Sequence, residues 1–147
     1  MIHRNRDPRL VTILKSADEI VNNSTTYQDD NELFLPVGVN QYWTFELYAI
    51  FTGNATADIK FTFTVPAGAV MFWGVQGYFD GNTDLRDQTQ AVVGAANGAT
   101  ERGVLLQGII DTAAAAGNMQ LQWAQNVANA SDTTVIKGSS LIAYRIL

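Results

Sequence analysis

The chain has 147 residues, the length of one domain, and with 47% hydrophobic and 16% charged residues it is too apolar for disorder. It contains no cysteine, which excludes disulfides, thiol nucleophiles and cysteine-ligated zinc, and its single histidine, His3, gives Ser-His-Asp triads and multi-histidine metal sites almost nothing to draw on. A net charge of −5 argues against direct nucleic-acid binding, and no apolar run reaches the roughly 18 residues of a membrane-spanning helix.

In chain order, residues 1–9 set Arg4, Arg6 and Arg9 against Asp7, a net +2, ahead of a body with six basic and 13 acidic groups, net −7. The N-terminus lacks the apolar segment of a signal peptide. This stretch reads as an extended basic arm, which at about 3.3 Å per residue would reach roughly 30 Å and dock on a neighbouring subunit. The alternative is an arm lying on its own domain. Residues 10–147 read as one β-sandwich domain.

From there the hydrophobic period is two almost throughout. Strands are expected at about 9–14, 32–36, 103–111 and 134–146. Between the first two, Asp29-Asp30-Asn31-Glu32 has no basic partner nearby in sequence and reads as a solvated turn. From Gln41 to Thr52 the odd positions Trp43, Phe45, Leu47, Ala49 and Phe51 are all apolar, while the even positions mix Tyr42, Tyr48 and Ile50 with Thr44 and Glu46. Ile59, Phe61, Phe63 and Val65 alternate with Lys60, Thr62 and Thr64 until Pro66-Ala67-Gly68 turns the chain.

From Ala69 to Phe79 both faces are apolar, and a strand of that kind needs a second surface to hide against. A subunit interface is the economical reading; a central strand covered by loops is the other. The stretch from Asp80 to about Thr100 is rich in Gly, Ala, Asn and Gln, reads as one long irregular loop, and is the first candidate for a partner-facing surface through Asp80, Asn82, Asp84 and Arg86. Asp80-Gly81-Asn82-Thr83-Asp84 opens like a calcium loop, but Leu85 stands where the turn needs Gly and Ala91 where a bidentate Glu belongs.

Thr112 to Ala116 is helix-prone by composition, yet Gly117 ends it after about one turn. Met119, Leu121, Trp123 and Val127 alternate with Asn118, Gln120, Gln122 and Asn126. Trp43 and Trp123 therefore belong to the core, with Trp73 open between core and surface. Sequons such as those at Asn23, Asn54 and Asn129 are expected by chance in a chain this rich in Asn and Thr. No spacing selects a carboxylate pair for glycoside hydrolysis. The expectation is a binding protein rather than an enzyme, with no catalytic residue, metal or cofactor. The strand count points to an all-β, jelly-roll-like sandwich of about eight strands with an extended N-terminal arm.

The run Asp18-Glu19-Ile20-Val21-Asn22-Asn23-Ser24-Thr25-Thr26, followed by Asp29-Asp30-Asn31-Glu32-Leu33, resembles a β-rich family of tailed-bacteriophage virion proteins. The likeness continues through Ala57 to Ala69, Arg102-Gly103, Gly117 to Gln125 and Gly138-Ser139-Ser140-Leu141. The resemblance implies a jelly-roll-like fold, usually trimeric, in capsid decoration (cement) proteins and in head or tail fibre modules. It carries over no catalytic residue, and the basic arm lies outside it.

Fibre tips normally follow a shaft, and the chain has neither heptads nor repeats. The expected role is therefore a homotrimeric cement protein on the virion surface, made in the host cytoplasm and bridging major capsid proteins, with no direct nucleic-acid or membrane partner. Arg4, Arg6 and Arg9 are its candidate capsid contacts. The alternative is a fibre or receptor-binding module that recognises a host surface glycan.

Overall fold

A computed structural model describes residues 2–4, 9–77, 90–93 and 100–147. Among them the chain is all β, with no helix. Its strands are β1 (Ile2–Arg4), β2 (Leu10–Leu14), β3 (Glu19–Val21), β4 (Gln28–Val37), β5 (Tyr42–Thr52) and β6 (Ile59–Thr64). They continue with β7 (Val70–Gly77), β8 (Ala91–Val93), β9 (Arg102–Asp111), β10 (Gly117–Gln125), β11 (Thr133–Val135) and β12 (Ser140–Arg145).

The long strands fall where the alternation places them. The additions to the expected eight are mainly short, three-residue elements, whose windows are too brief to show a period. The run expected over 134–146 is two strands, because Ser139 breaks it: its hydroxyl accepts from Ile50 N (2.9 Å) and donates to Ile136 O (2.8 Å). The stretch expected as irregular from Asp80 to Thr100 contains β8, paired antiparallel with β6. Thr112 to Ala116 forms a turn closed by Ala115 N donating to Thr112 O, not a helix.

All the pairings among the described residues are antiparallel, and nested pairs among them include β2 with β12, β4 with β10, β5 with β9 and β6 with β8. Winding such nested pairs into two layers gives one sheet ordered β2-β12-β5-β9 and another ordered β4-β10-β6-β8. That is jelly-roll connectivity. The first sheet gains β1 beyond β2, β7 beyond β9, and β11 with β3 alongside the end of β5.

The core lies between the sheets. Trp43, Phe45, Leu47, Ala49 and Phe51 of β5 are all buried and face Leu33, Leu35, Ile59, Phe61, Met119, Leu121 and Trp123 from the other layer. Edge-to-face ring pairs cross the gap, Phe45 on Phe63 at 5.3 Å and Phe63 on Trp73 at 5.0 Å. Trp73 is thus a core residue like Trp43 and Trp123, which leaves no tryptophan for a sugar-stacking platform. Opposite Trp73 sits Gly108, where a Cβ would run into Phe72 O and the Trp73 Cα. Backbone cannot swing aside as a side chain can, so Gly108→Val is expected to cost at least ~3 kcal/mol in a denaturant-unfolding measurement.

At one end of the sandwich a polar cluster ties the two layers together. Between Gln120 and Gln122 the β4–β10 register slips, so that residues 30–33 leave the ladder. Their freed amides find carboxylates instead: Glu32 N and Leu33 N donate to Asp30 Oδ1, and Asn31 N donates to Glu19 Oε2. Lys15, next after β2, donates from Nζ to both Asp30 oxygens and to Glu19 Oε2, each at 2.9 Å. Burial pulls the Lys15 ammonium down, but its bonds to Asp30 and Glu19 outweigh that and hold its pKa above the ordinary value. Asp30 is therefore a buried ion-pair partner and not part of a solvated turn.

Glu32 closes the same corner by accepting from Ser16 N (3.0 Å) and Ala17 N (3.2 Å). Partial burial pushes its carboxyl up, but these bonds and the Lys15 charge more than reverse the effect, and its pKa falls below the usual 4.5. A carboxyl with a lowered folded-state pKa contributes stability that is present above the unfolded value and lost as pH falls through the folded one. Glu32→Gln should accordingly flatten the acid side of the stability profile below about pH 4.5, measured by urea unfolding across that range.

Candidate interaction face

The outer surfaces of the two layers differ in kind. On the smaller sheet, β6 presents Lys60, Thr62 and Thr64, and β10 presents Gln120 and Gln122, whose amides bond to Asp30 O and Asp29 Oδ1. Tyr27 lies at its margin with Lys60 Nζ 4.5 Å over the ring, and burial pushes the phenol pKa up to about 12. Such a surface is at ease in water.

The larger sheet sets apolar side chains among polar ones on its outer face. Strand geometry sends alternate residues outward, and the register lines them up in rows. One row runs Leu10, Tyr144, Thr44, Ile109, Phe72; the next runs Thr12, Ile142, Glu46, Gln107, Gly74; a third runs Leu14, Ser140, Tyr48, Leu105, Gln76. Leu14, Tyr48, Val70, Phe72 and Ile142 are each 46–52% exposed. The mixed even positions of β5 and the second apolar face of β7 thus share one continuous outer surface. Tyr48 lays its ring across Gly103, a position where any Cβ would meet the phenol.

Within this surface a shallow cavity of about 320 Å³ opens beside Gln107. Thr44, Glu46, Phe72, Gln107 and Ile109 line it, so a carboxylate and an amide sit in an apolar surround.

Of the residues singled out by sequence, Arg9 borders this face: its guanidinium lies 5.6 Å from the Tyr144 ring centroid, at the edge of the first row. Arg4 ends β1, whose backbone returns along β2 with Ile2 opposite Ile13 and Arg4 opposite Val11. Residues 2–4 therefore lie on their own domain. Arg6, and the loop candidates Asp80, Asn82, Asp84 and Arg86, lie outside the described residues. The opening Asp80–Asp84 calcium-like run lies there too. Among the described residues, no three acidic or histidine side chains gather as a metal site.

What sequence reasoning missed was the Lys15–Asp30 pair, because its partners are 15 residues apart and the slip in β4 that joins them leaves no periodic signal.

No known protein family matches the chain, and no curated protein matches it. Among solved structures it is similar to a mutant VP2 protein of infectious bursal disease virus in derived T=1 particles, at 13% identity and a TM-score of 0.27, over 95% of this chain and 36% of that one. It is also similar to a structure of the infectious bursal disease virus Gx strain, at 10% identity and a TM-score of 0.23, over 99% of this chain and 45% of that one. The likeness is weak, and the chain spans under half the length of either.

Proposed function

We propose that this protein is a viral structural protein, a trimeric capsid decoration protein that binds the outer shell and bridges major capsid proteins. The observation that carries the reading is the outer face of the larger sheet, where Leu14, Tyr48, Val70, Phe72 and Ile142 stand half exposed among polar residues. Burying such a surface contributes about 25 cal/mol per Å², so a free monomer forgoes a large stabilisation that association recovers. The jelly-roll connectivity agrees with this role.

Function here is binding without turnover. A protein that binds the expanded shell and not its precursor stabilises it by mass action. A trimer makes the second and third contacts intramolecular and so adds avidity. In this scheme the apolar face joins the copies, and the arginines of the first nine residues pair with acidic groups of the shell.

The test has two parts. Light scattering should give three times the 16.0 kDa of one chain. Purified protein should also co-sediment with expanded capsids, and changing Arg4 and Arg6 to Ala should weaken that attachment in moderate salt while the trimer persists. A monomer at high concentration that ignores capsids would end the proposal. Saturable binding on a glycan array would instead favour the receptor-binding reading.

A further inference from the structure

We propose that Lys15 and Asp30 condense to an intramolecular isopeptide bond, with Glu19 as the proton carrier. The three groups already stand as a reacting set. Lys15 Nζ lies 2.9 Å from each Asp30 oxygen, a bidentate ion pair from which Nζ must shift over the face of the carboxylate to reach Cγ. A contact this short keeps the amine and the carboxyl group together, so their reaction needs no encounter in solution. The side chains are 1% and 0% exposed, so bulk water scarcely competes.

The remaining parts serve the chemistry. Asp30 Oδ1 accepts from Leu33 N at 2.8 Å and Glu32 N at 3.0 Å, two backbone donors aimed where negative charge develops at a tetrahedral centre. Glu19 Oε2 touches the same Nζ at 2.9 Å, and its other oxygen is held by Gln28 Nε2 at 2.7 Å. The carboxylate that must shuttle a proton is thus fixed against the nitrogen that must lose one.

The step balances without any co-reactant. The Lys15 ammonium first passes a proton to Asp30 Oδ2, giving an amine and a carboxylic acid. The amine lone pair then attacks Cγ, and Oδ1 takes the charge between the two amides. Glu19 removes a proton from the new C–N nitrogen and returns it to the Oδ2 hydroxyl, which leaves as water while the carbonyl re-forms. One ammonium and one carboxylate become one amide and one water, and Glu19 ends as it began.

The ionised pair predominates at the start, since Asp30 and Glu19 hold the Lys15 proton firmly. Burial nonetheless narrows the gap to the neutral pair, and the amide product leaves one fewer pair of charges in the interior. The bond would join the end of β2 to β4, one strand from each layer, in a chain that has no cysteine for the purpose.

The test is the intact mass of the full chain, folded, incubated and then denatured. The expected result is a mass short of the sequence value by one water, with trypsin unable to cut after Lys15. Lys15→Arg and Glu19→Gln should each restore the full mass. A wild-type mass equal to the sequence value, with normal cleavage after Lys15, overturns the proposal. A water loss that persists in Lys15→Arg also overturns it, since that loss would come from cyclisation elsewhere, as at Asp80-Gly81. The wild-type result stands on its own even if a variant fails to fold.

Discussion

Lys15→Met is expected to destabilise the fold by about 3–5 kcal/mol, the usual result of removing one member of a buried ion pair and stranding the other. Stranded here would be Asp30, 2% exposed, with Glu19 close by, so two carboxylates would face one another without the cation between them. For a domain of this size the loss corresponds to a fall in melting temperature of roughly 10 °C. It is also a large share of the ~5–15 kcal/mol that holds a typical domain together.

The companion variant separates charge from packing. Lys15→Met with Asp30→Asn keeps an oxygen for Glu32 N and Leu33 N and leaves Glu19 as the one carboxylate of that pair. It should therefore recover the part of the loss that comes from stranded charge and none that comes from a Lys15–Asp30 bond. Calorimetry on the three proteins checks both statements. A single variant within about 0.5 kcal/mol of the parent, as for an ordinary surface change, would mean that the cluster does not hold the corner.

The second large effect is on assembly. Phe72→Glu and Ile142→Glu place carboxylates in adjacent rows of the outer face, where both side chains are already half exposed. The folded monomer should tolerate either change within about 0.5 kcal/mol, because water solvates the new charge. In the proposed trimer the same carboxylate would be buried without a partner, at about 3 kcal/mol or more for each interface. Every ~1.4 kcal/mol is a factor of ten, so association should weaken by about a hundredfold per interface. Light scattering across a dilution series would read this as a fall toward the mass of one chain with an unaltered melting temperature. An unchanged assembly would show that another surface joins the copies.

The pattern of residues made the sandwich legible because each long strand spends its apolar side chains on one face. Trp43 to Phe51 on β5 and Ile59 to Phe63 on β6 announce their inner faces by alternation alone. The unusual second faces of β5 and β7 announced that something must cover them, and the register shows that they form one surface. Short elements such as β8 were invisible because their pairing with β6 is decided by tertiary contact rather than by local period. The Asp30 cluster was misread for a related reason: charge beside charge in sequence looks solvated until the fold carries a distant lysine to it.

The place of β12 has a consequence for how the molecule comes into being. It lies between β2 and β5, so the middle of the larger sheet stays vacant until residues 140–145 have been synthesised. Contacts that span nearly the whole chain are slow to form, since loop-closure entropy must be met before they return anything. The nascent polypeptide therefore waits with its sheet unzipped, open to pairing with neighbouring chains, until β12 is free to enter.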